Sequence, residues 1–81
     1  MFKYTSYFKE NILQKRPYVK KDWCEKVVSE PVYTERQADG RYRFWGPVKE
    51  YEGRFIRVVT LEDRRIIHNA FFDRSFKGGK E

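Results

Sequence analysis

Residues 39–46 read DGRYRFWG, and this stretch contains the most specific turn signal in the chain of 81 residues. The dipeptide Asp39-Gly40 is typical of a type I′ hairpin turn, because that turn needs positive φ at both central residues and this pair tolerates it. The aromatic and arginine side chains that follow are typical of a β-strand. The stretch therefore predicts a β-hairpin whose turn lies at residues 39–40.

Two further turn signals, Glu52-Gly53 and Glu62-Asp63, divide the rest of the chain into runs rich in Val, Ile, Tyr, Phe and Arg. Pro47 is expected near the end of its strand, since proline cannot donate to a sheet ladder. The spacing of the turns predicts an antiparallel meander of about four strands, at about residues 32–37, 41–48, 54–61 and 65–72.

The residues before the sheet have a helical pattern. Thr5 or Ser6 can cap a first helix that continues to about Lys15, and a second helix is predicted over residues 20–29, before Pro31. Helices that precede an antiparallel sheet are typical of the α+β class. We therefore expect two helices packed on one face of the sheet, within a single domain of residues 1–81 whose tail, residues 75–81, is frayed.

Charge and composition restrict the partners. The net charge of +6 and the aromatic content of 19% suit a protein that meets nucleic acid, an acidic protein or an anionic membrane surface. No apolar run is long enough to span a bilayer, and no signal peptide precedes the first helix, so we expect a cytoplasmic protein without a membrane partner. Cys24 and His68 stand alone, so neither a metal site nor a cofactor is expected.

Strand alternation sorts the basic residues, because side chains at positions i and i+2 share a face. Arg41, Arg43 and Trp45 are predicted to share one face, and this combination can hold phosphates and stacked RNA bases. Arg57 is expected beside Phe55 and Val59. The alternative interpretation is that these arginines only solvate the outer face of the sheet, and the sequence leaves open which face is exposed.

Another basic group lies in and around the turn between the helices. Its members can contact a nucleic-acid backbone without reading its sequence, and each contact would make binding more dependent on salt. Solvated lysines in a loop are the alternative interpretation. The residues of this group are Lys15, Arg16, Lys20 and Lys21.

His68 is the first candidate for a general acid or base. An imidazole is the only side chain whose ordinary pKa, about 6.5, lets it exchange protons readily near neutrality. It is predicted on the same strand face as Ala70 and Phe72, where a hydrogen-bonded structural histidine is the alternative interpretation. Metal-free RNA cleavage needs only a base, an acid for the leaving oxygen, and cations beside the phosphate.

The segments RPYVKKDW (16–23), DGRYRFWG (39–46), RFIRVVT (54–60) and HNAF (68–71) resemble a family of small bacterial, notably cyanobacterial, domains. That family is similar to the BrnT and RelE toxins, which are metal-independent ribonucleases neutralised by an antitoxin. The resemblance implies a RelE/BrnT-like fold, RNA as substrate, on or off the ribosome, and an acidic antitoxin as a partner.

The resemblance also implies roles for particular residues. His68 would move the proton, while arginines would stabilise the developing charge on the phosphate. Relatives of this kind often have a histidine on the first helix where this chain has Asn11, which cannot exchange a proton at neutral pH. The implied catalytic residues are His68, Arg43, Arg57 and Arg74, with Lys15 as a further candidate.

Two function hypotheses therefore follow from the sequence. The first is a toxin-like, metal-independent endoribonuclease of a toxin–antitoxin pair, acting as a monomer or a homodimer. The alternative is a non-enzymatic module that binds nucleic acid or an acidic protein through the same basic and aromatic residues.

Overall fold

The computed structural model describes residues 2–15 and 19–76, which form two helices and a mixed sheet of five strands. The order across the sheet is β1-β5-β4-β3-β2, and β1 is parallel to β5 while the other neighbours are antiparallel. The strands are β1 (Lys3–Tyr4), β2 (Tyr33–Arg36), β3 (Tyr42–Val48), β4 (Arg54–Thr60) and β5 (Ile66–Phe72).

This architecture confirms the α+β class and corrects the predicted sheet, which is neither four-stranded nor wholly antiparallel. The four strands of the predicted meander are present, but a fifth strand, β1, precedes the first helix and pairs Lys3 with Ile66 and Tyr4 with Ile67. Two residues are too few to show strand alternation in a sequence. Only the approach of the chain terminus to the last strand makes them a strand.

Helix α1 consists of a π-helical segment, Phe8–Ile12, followed by an α-helical turn, Leu13–Lys15. Its start is capped by Thr5, whose hydroxyl accepts a hydrogen bond from the Phe8 N–H at 3.1 Å. Phe8 and Ile12 are buried against the sheet. Burying a side chain of this size contributes about 1.5–3 kcal/mol, which is what fixes the short helix in place.

Helix α2, Lys21–Ser29, packs on the same face of the sheet as α1. The two helices and the sheet share one core cluster, in which Cys24 and Val27 of α2 meet the sheet residues Ile56 and Val58. Val27 comes so close to Gly46 of β3 that a Cβ added there would lie 3.0 Å from Val27 Cγ2. Gly46 therefore sets how closely α2 can approach the sheet.

The hairpin at Asp39-Gly40 exists, but its turn is not of the predicted type I′. Only Gly40 has positive φ, at 92°, and its N–H donates to the Gln37 carbonyl at 3.0 Å. The Asp39 carboxylate accepts a hydrogen bond from the Arg41 N–H at 3.0 Å. This side-chain contact gives Asp39 a stabilising role that does not require positive φ.

Strand β5 contains a register shift that overturns the predicted placement of His68. Thr60 pairs with Ile67 and Val59 pairs with Asn69, so an extra residue is inserted between the two pairs. Ile67 and Ala70 are both fully buried in the core, although strict alternation would put them on opposite faces. The bulge thus moves His68 away from the face of Ala70.

No helix in residues 2–15 or 19–76 is long and apolar enough to cross a membrane.

Candidate nucleic-acid interface

The sheet face opposite the helices, here called the outer face, displays most of the predicted sheet residues. On the helix side, Phe44, Ile56 and Val58 belong to the main core. Their neighbours along β3 and β4 therefore point to the outer face, and among these Trp45 pairs across the strands with Arg57. The strand register thus brings Arg57 beside the indole ring of Trp45, a cross-strand pair that the sequence pattern did not predict.

Trp45 is nearly covered on this face, with 5% of its surface exposed. The ring of Phe76 stacks on it with 5.1 Å between centroids and an angle of 9° between planes, and Tyr33 contacts it at 5.3 Å. The indole Nε1 donates a hydrogen bond to Asp73 Oδ2 at 3.0 Å. Trp45 therefore forms the floor of the outer face in this structure, and Phe76 occupies the position a stacked base would take.

Arg57 is held between rings and a carboxylate. Its guanidinium carbon lies 4.4 Å from the Phe71 ring centroid and 5.8 Å from that of Trp45. Its Nε lies 3.5 Å from Asp73 Oδ2, and 26% of the side chain is exposed. Because this positive charge is already balanced by Asp73, Arg57 contributes little net charge to the surface.

Asp73 connects three elements at this end of the sheet. Besides its hydrogen bond from Trp45 and its ion pair with Arg57, it accepts hydrogen bonds from the Ser75 N–H at 3.0 Å and the Ser75 hydroxyl at 2.7 Å. Burial would raise the pKa of Asp73, but the hydrogen bonds from Trp45 and Ser75 and the charge of Arg57 lower it below its ordinary value. The carboxylate therefore stays ionised and directs the turn that places Phe76 over Trp45.

A cleft of about 840 Å³ opens beside this turn, where β4 begins and β5 ends. It joins aromatic walls with two exposed arginines at the rim, Arg54 and Arg74. Arg54 pairs with Glu52 at 3.5 Å, but both side chains are largely exposed, so the pair stays open to solvent. The rings that line the cleft are Tyr51, Phe55, Phe71, Phe72 and Phe76.

Arg43 and Arg41 lie nearer the other end of the outer face, and both contact acidic or amide groups. Arg43 donates hydrogen bonds to Gln37 Oε1 at 3.0 Å and to Glu35 Oε1 at 3.1 Å. Arg41 lies 3.9 Å from an Asp39 carboxylate oxygen, and both side chains are well exposed. Arg41 is thus the more available of the two cations.

His68 is half-buried at the same end, beside the start of helix α1. Its Nδ1 lies 3.1 Å from the Thr5 hydroxyl oxygen, and its ring stacks on Tyr7 with 5.0 Å between centroids. Burial, followed by the positive charge of Arg41, lowers the pKa of His68 below its ordinary value. The imidazole is therefore neutral at pH 7, with one nitrogen able to accept a proton.

The basic group around the interhelical turn lies in the helix layer. Lys21 Nζ lies 4.8 Å from the Tyr4 ring centroid and Lys20 Nζ lies 5.7 Å from that of Trp23, while Lys15 ends helix α1. Arg16 falls outside the described residues. The lysines are therefore separated from the outer face by the sheet itself, and the structure does not bring the two predicted groups together.

Comparison with known protein families, curated proteins and solved structures finds no match to this chain. The resemblance to BrnT and RelE toxins thus stays a prediction.

Among residues 2–15 and 19–76, no three His, Cys, Asp or Glu side chains cluster as metal ligands would.

The structure adds residues that sequence reasoning missed. Asp73 and Phe76 follow the last predicted strand and carry no periodic signal, yet they organise the end of the outer face. Phe55 was expected beside Arg57, and the strand register adds Phe71 as the cross-strand partner of Arg57. Arg74 was predicted as catalytic and lies at the rim of the cleft, away from His68.

Proposed function

We propose that this protein binds single-stranded RNA through the cleft and the adjoining outer face. The observation that carries the proposal is the combination, in one concave site, of aromatic rings with the exposed Arg54 and Arg74. Rings stack on unpaired bases whatever their sequence, and arginines pair with the phosphates between them.

Electrostatics support an anionic ligand at this position. The one carboxylate that lines the cleft, Asp73, is already balanced by Arg57 and occupied by Trp45 and Ser75. At the rim, Arg74 adds positive charge, and Arg54 stays accessible to an anion because its ion pair with Glu52 is largely exposed. The net charge of +6 adds long-range attraction for a polyanion.

The shape of the site favours single strands over a duplex. In a duplex the bases are stacked on one another and cannot enter a cleft lined with rings, whereas an unpaired base can. A cleft of about 840 Å³ falls in the range that holds a small ligand, so it has room for a base and its phosphate.

The proposal is tested by fluorescence anisotropy of a labelled single-stranded RNA with the full chain. We expect binding that weakens with salt, with a log–log slope reduced by about 1 when Arg54 or Arg74 is replaced by alanine. Arg64→Ala, an arginine that lines a different groove on the helix side, is the matched control and should leave the affinity unchanged. If all three variants lose the same amount of RNA affinity, the binding is non-specific charge attraction, and the proposed site is contradicted.

A second candidate function is the toxin-like endoribonuclease, and the surroundings of His68 favour it. A neutral imidazole, the exposed Tyr7 ring and the cationic Arg41 occur at one end of the outer face. His68 would take the proton of a ribose 2′-hydroxyl as that oxygen attacks phosphorus. The bond to the 5′-oxygen would break, and Tyr7 would supply the proton that this leaving oxygen needs.

The ribonuclease is tested by incubating labelled RNA with the protein in EDTA, with and without ribosomes. Cleavage that is lost in His68→Gln and Tyr7→Phe, while binding is kept, would support it. Arg54→Ala provides the reverse comparison, because it should weaken binding without removing the groups that move protons. If no RNA is cut in either format, the binding function alone is retained.

A further inference from the structure

Strand β2 forms an exposed edge of the sheet. All four of its residues are exposed, and it pairs with β3 on one side only. The Gln37 N–H donates to the Arg41 carbonyl at 2.7 Å, which fixes the alternation along the hairpin. It follows that Glu35 and Tyr33 direct their peptide groups toward β3, while the N–H and C=O groups of Thr34 and Arg36 point away from the sheet.

A groove of about 660 Å³ lies beside this edge on the helix side of the sheet. Helix α2 ends at Ser29, so it does not cover the whole face, and Phe44 and Val28 line the groove together with Thr34 of the edge strand. The groove thus presents apolar surface directly next to backbone groups that have no partner strand within the described part of the chain.

Arginines surround the groove. Arg64 and Arg65 line it, and the Arg64 guanidinium carbon lies 4.5 Å from the ring centroid of Tyr42. Arg36 is the cross-strand partner of Tyr42 and is exposed on the same side. The nearby Asp63 carboxylate accepts hydrogen bonds at Oδ1 from the N–H groups of the two residues after Arg64, and these bonds lower its pKa.

We propose that β2 and this groove bind an extended, acidic segment of a partner protein, which adds to the sheet as a sixth strand. The backbone of the segment pairs with the outward groups of Thr34 and Arg36. Every second side chain of the segment faces the helix side, where apolar ones enter the groove beside Phe44 and carboxylates meet Arg36 and Arg64. This surface is separate from the RNA cleft, so the two proposals stand independently.

Three features favour an acidic polypeptide over other occupants. A second copy of this chain would bring another charge of +6 to an edge that already carries arginines, and the repulsion opposes pairing. RNA is attracted by the same arginines, but it has no alternating N–H and C=O groups to match those of Thr34 and Arg36. An acidic strand can pair its carboxylates with the arginines and its backbone groups with the outward N–H and C=O groups of β2.

The probe is a short capped peptide, titrated into the full ¹⁵N-labelled chain, in which valine and glutamate follow one another at every second position, with threonine between them, so that both face the same side. A peptide in which lysine replaces glutamate is the control. We expect the acidic peptide to slow amide hydrogen exchange at Thr34 and Arg36, and the lysine peptide to leave it unchanged. Arg36→Glu should weaken binding by about tenfold, whereas Arg54→Glu, at the cleft, should not change it.

Backbone pairing is tested by a proline variant and its matched control. Thr34→Pro removes an N–H that points away from the sheet, which an edge strand tolerates, so the fold is retained while peptide binding is lost. Thr34→Val keeps the N–H and should bind as well as the parent. Equal binding by the two variants would overturn the proposal.

Two further outcomes would also overturn it. The first is amide hydrogen exchange at Thr34 that is slow without peptide and becomes slower as the protein concentration rises. That result would show that a second copy covers the edge. A labelled single-stranded RNA that shifts the signals of Arg36 and Arg64, but not those around Arg54 and Arg74, would assign the groove to RNA.

Discussion

Each end of the outer sheet face combines an arginine with rings, but the arginine and the rings have different partners at the two ends. At the end near Asp73, an arginine, an indole and a turn are tied to one carboxylate that is 11% exposed. At the end near His68, the imidazole has one hydroxyl neighbour and a stacked tyrosine, and Arg41 stands exposed with only a distant ion pair.

This contrast shows what a buried carboxylate does to neighbouring cations. Arg57 and Trp45 lie on the face expected for RNA binding, but Asp73 binds both and makes them part of a local core. Within residues 2–15 and 19–76, Arg41, Arg54 and Arg74 have no ion pair with a carboxylate as little exposed as Asp73, so they are the better candidates for contacts to phosphate.

Replacing Asp73 by alanine should produce the largest loss of stability. The variant removes the ion-pair partner of Arg57 and the hydrogen-bond acceptor of Trp45 Nε1, and it frees the turn that carries Phe76. Removing one partner of a half-buried, hydrogen-bonded pair costs about 3 kcal/mol in the free energy of unfolding. Urea denaturation measures it, with Asp39→Ala, an exposed turn carboxylate, as the control. Similar losses in both variants would contradict the special role of Asp73.

Phe76→Ala should have a smaller effect, about 1–2 kcal/mol, because it removes a stacked ring that also covers Trp45. In a Trp23→Phe background, Trp45 is the one emitting tryptophan, and its fluorescence should shift to the red as water reaches the ring. The same variant sharpens the binding proposal. Tighter RNA binding would indicate that Phe76 occupies a base position, while weaker binding would indicate that it is a wall of the cleft.

Acidification should reduce stability through Asp73. Its pKa is lowered in the folded protein, so the native state favours the ionised form. The stabilisation is complete above the ordinary pKa of about 3.9 and is lost as the pH falls through the folded-state value. Urea midpoints measured from pH 5 downward should fall, and Asp73→Asn should flatten this dependence. If the urea midpoint of the variant depends on pH as strongly as that of the parent, other carboxylates cause the sensitivity to acid.

The smallest effect is expected at His68. Because its pKa is lowered in the folded protein, the unfolded state binds more protons, and stability should fall slightly as the pH falls below about 6.5. NMR titration of the imidazole checks the direction. Arg41→Ala should raise the pKa, since one lowering charge is removed, whereas Arg43→Ala should leave it unchanged. If both variants raise the pKa of His68 equally, the lowered pKa is caused by the summed positive charge around the sheet and not by Arg41 in particular.

Much of the fold was readable from the sequence because it follows from local patterns. Strands β2 to β5 fall within the predicted runs, and helix α2 begins one residue after its predicted start. Turn residues and alternation carry this information within a few residues of chain. The type of the turn at Asp39-Gly40 was a local error, whereas β1 and the bulge at His68 depend on which distant segment lies alongside β5.

The candidate site divides in the same way. Alternation predicts that Arg41, Arg43 and Trp45 share one face, and that prediction needs only the period of a strand. The position of Arg57 beside Trp45 depends on the register between β3 and β4. Whether a side chain is free to contact a ligand, or is already bound by another residue, depends on partners that are remote in the chain. Trp45 and Asp73 are 28 positions apart, and Thr5 and His68 are 63 apart.

By itself, the sequence determined the α+β class, the positions of the turns and the basic character of the protein, because propensity, pattern and charge are local or additive properties. Three features depend on the tertiary structure: Asp73 contacts Arg57 and Trp45, Phe76 covers the indole, and the lysines of the helix layer lie on the opposite side of the sheet from Arg57 and Trp45. Such contacts join residues far apart in the chain, so they form only when the whole fold has been assembled.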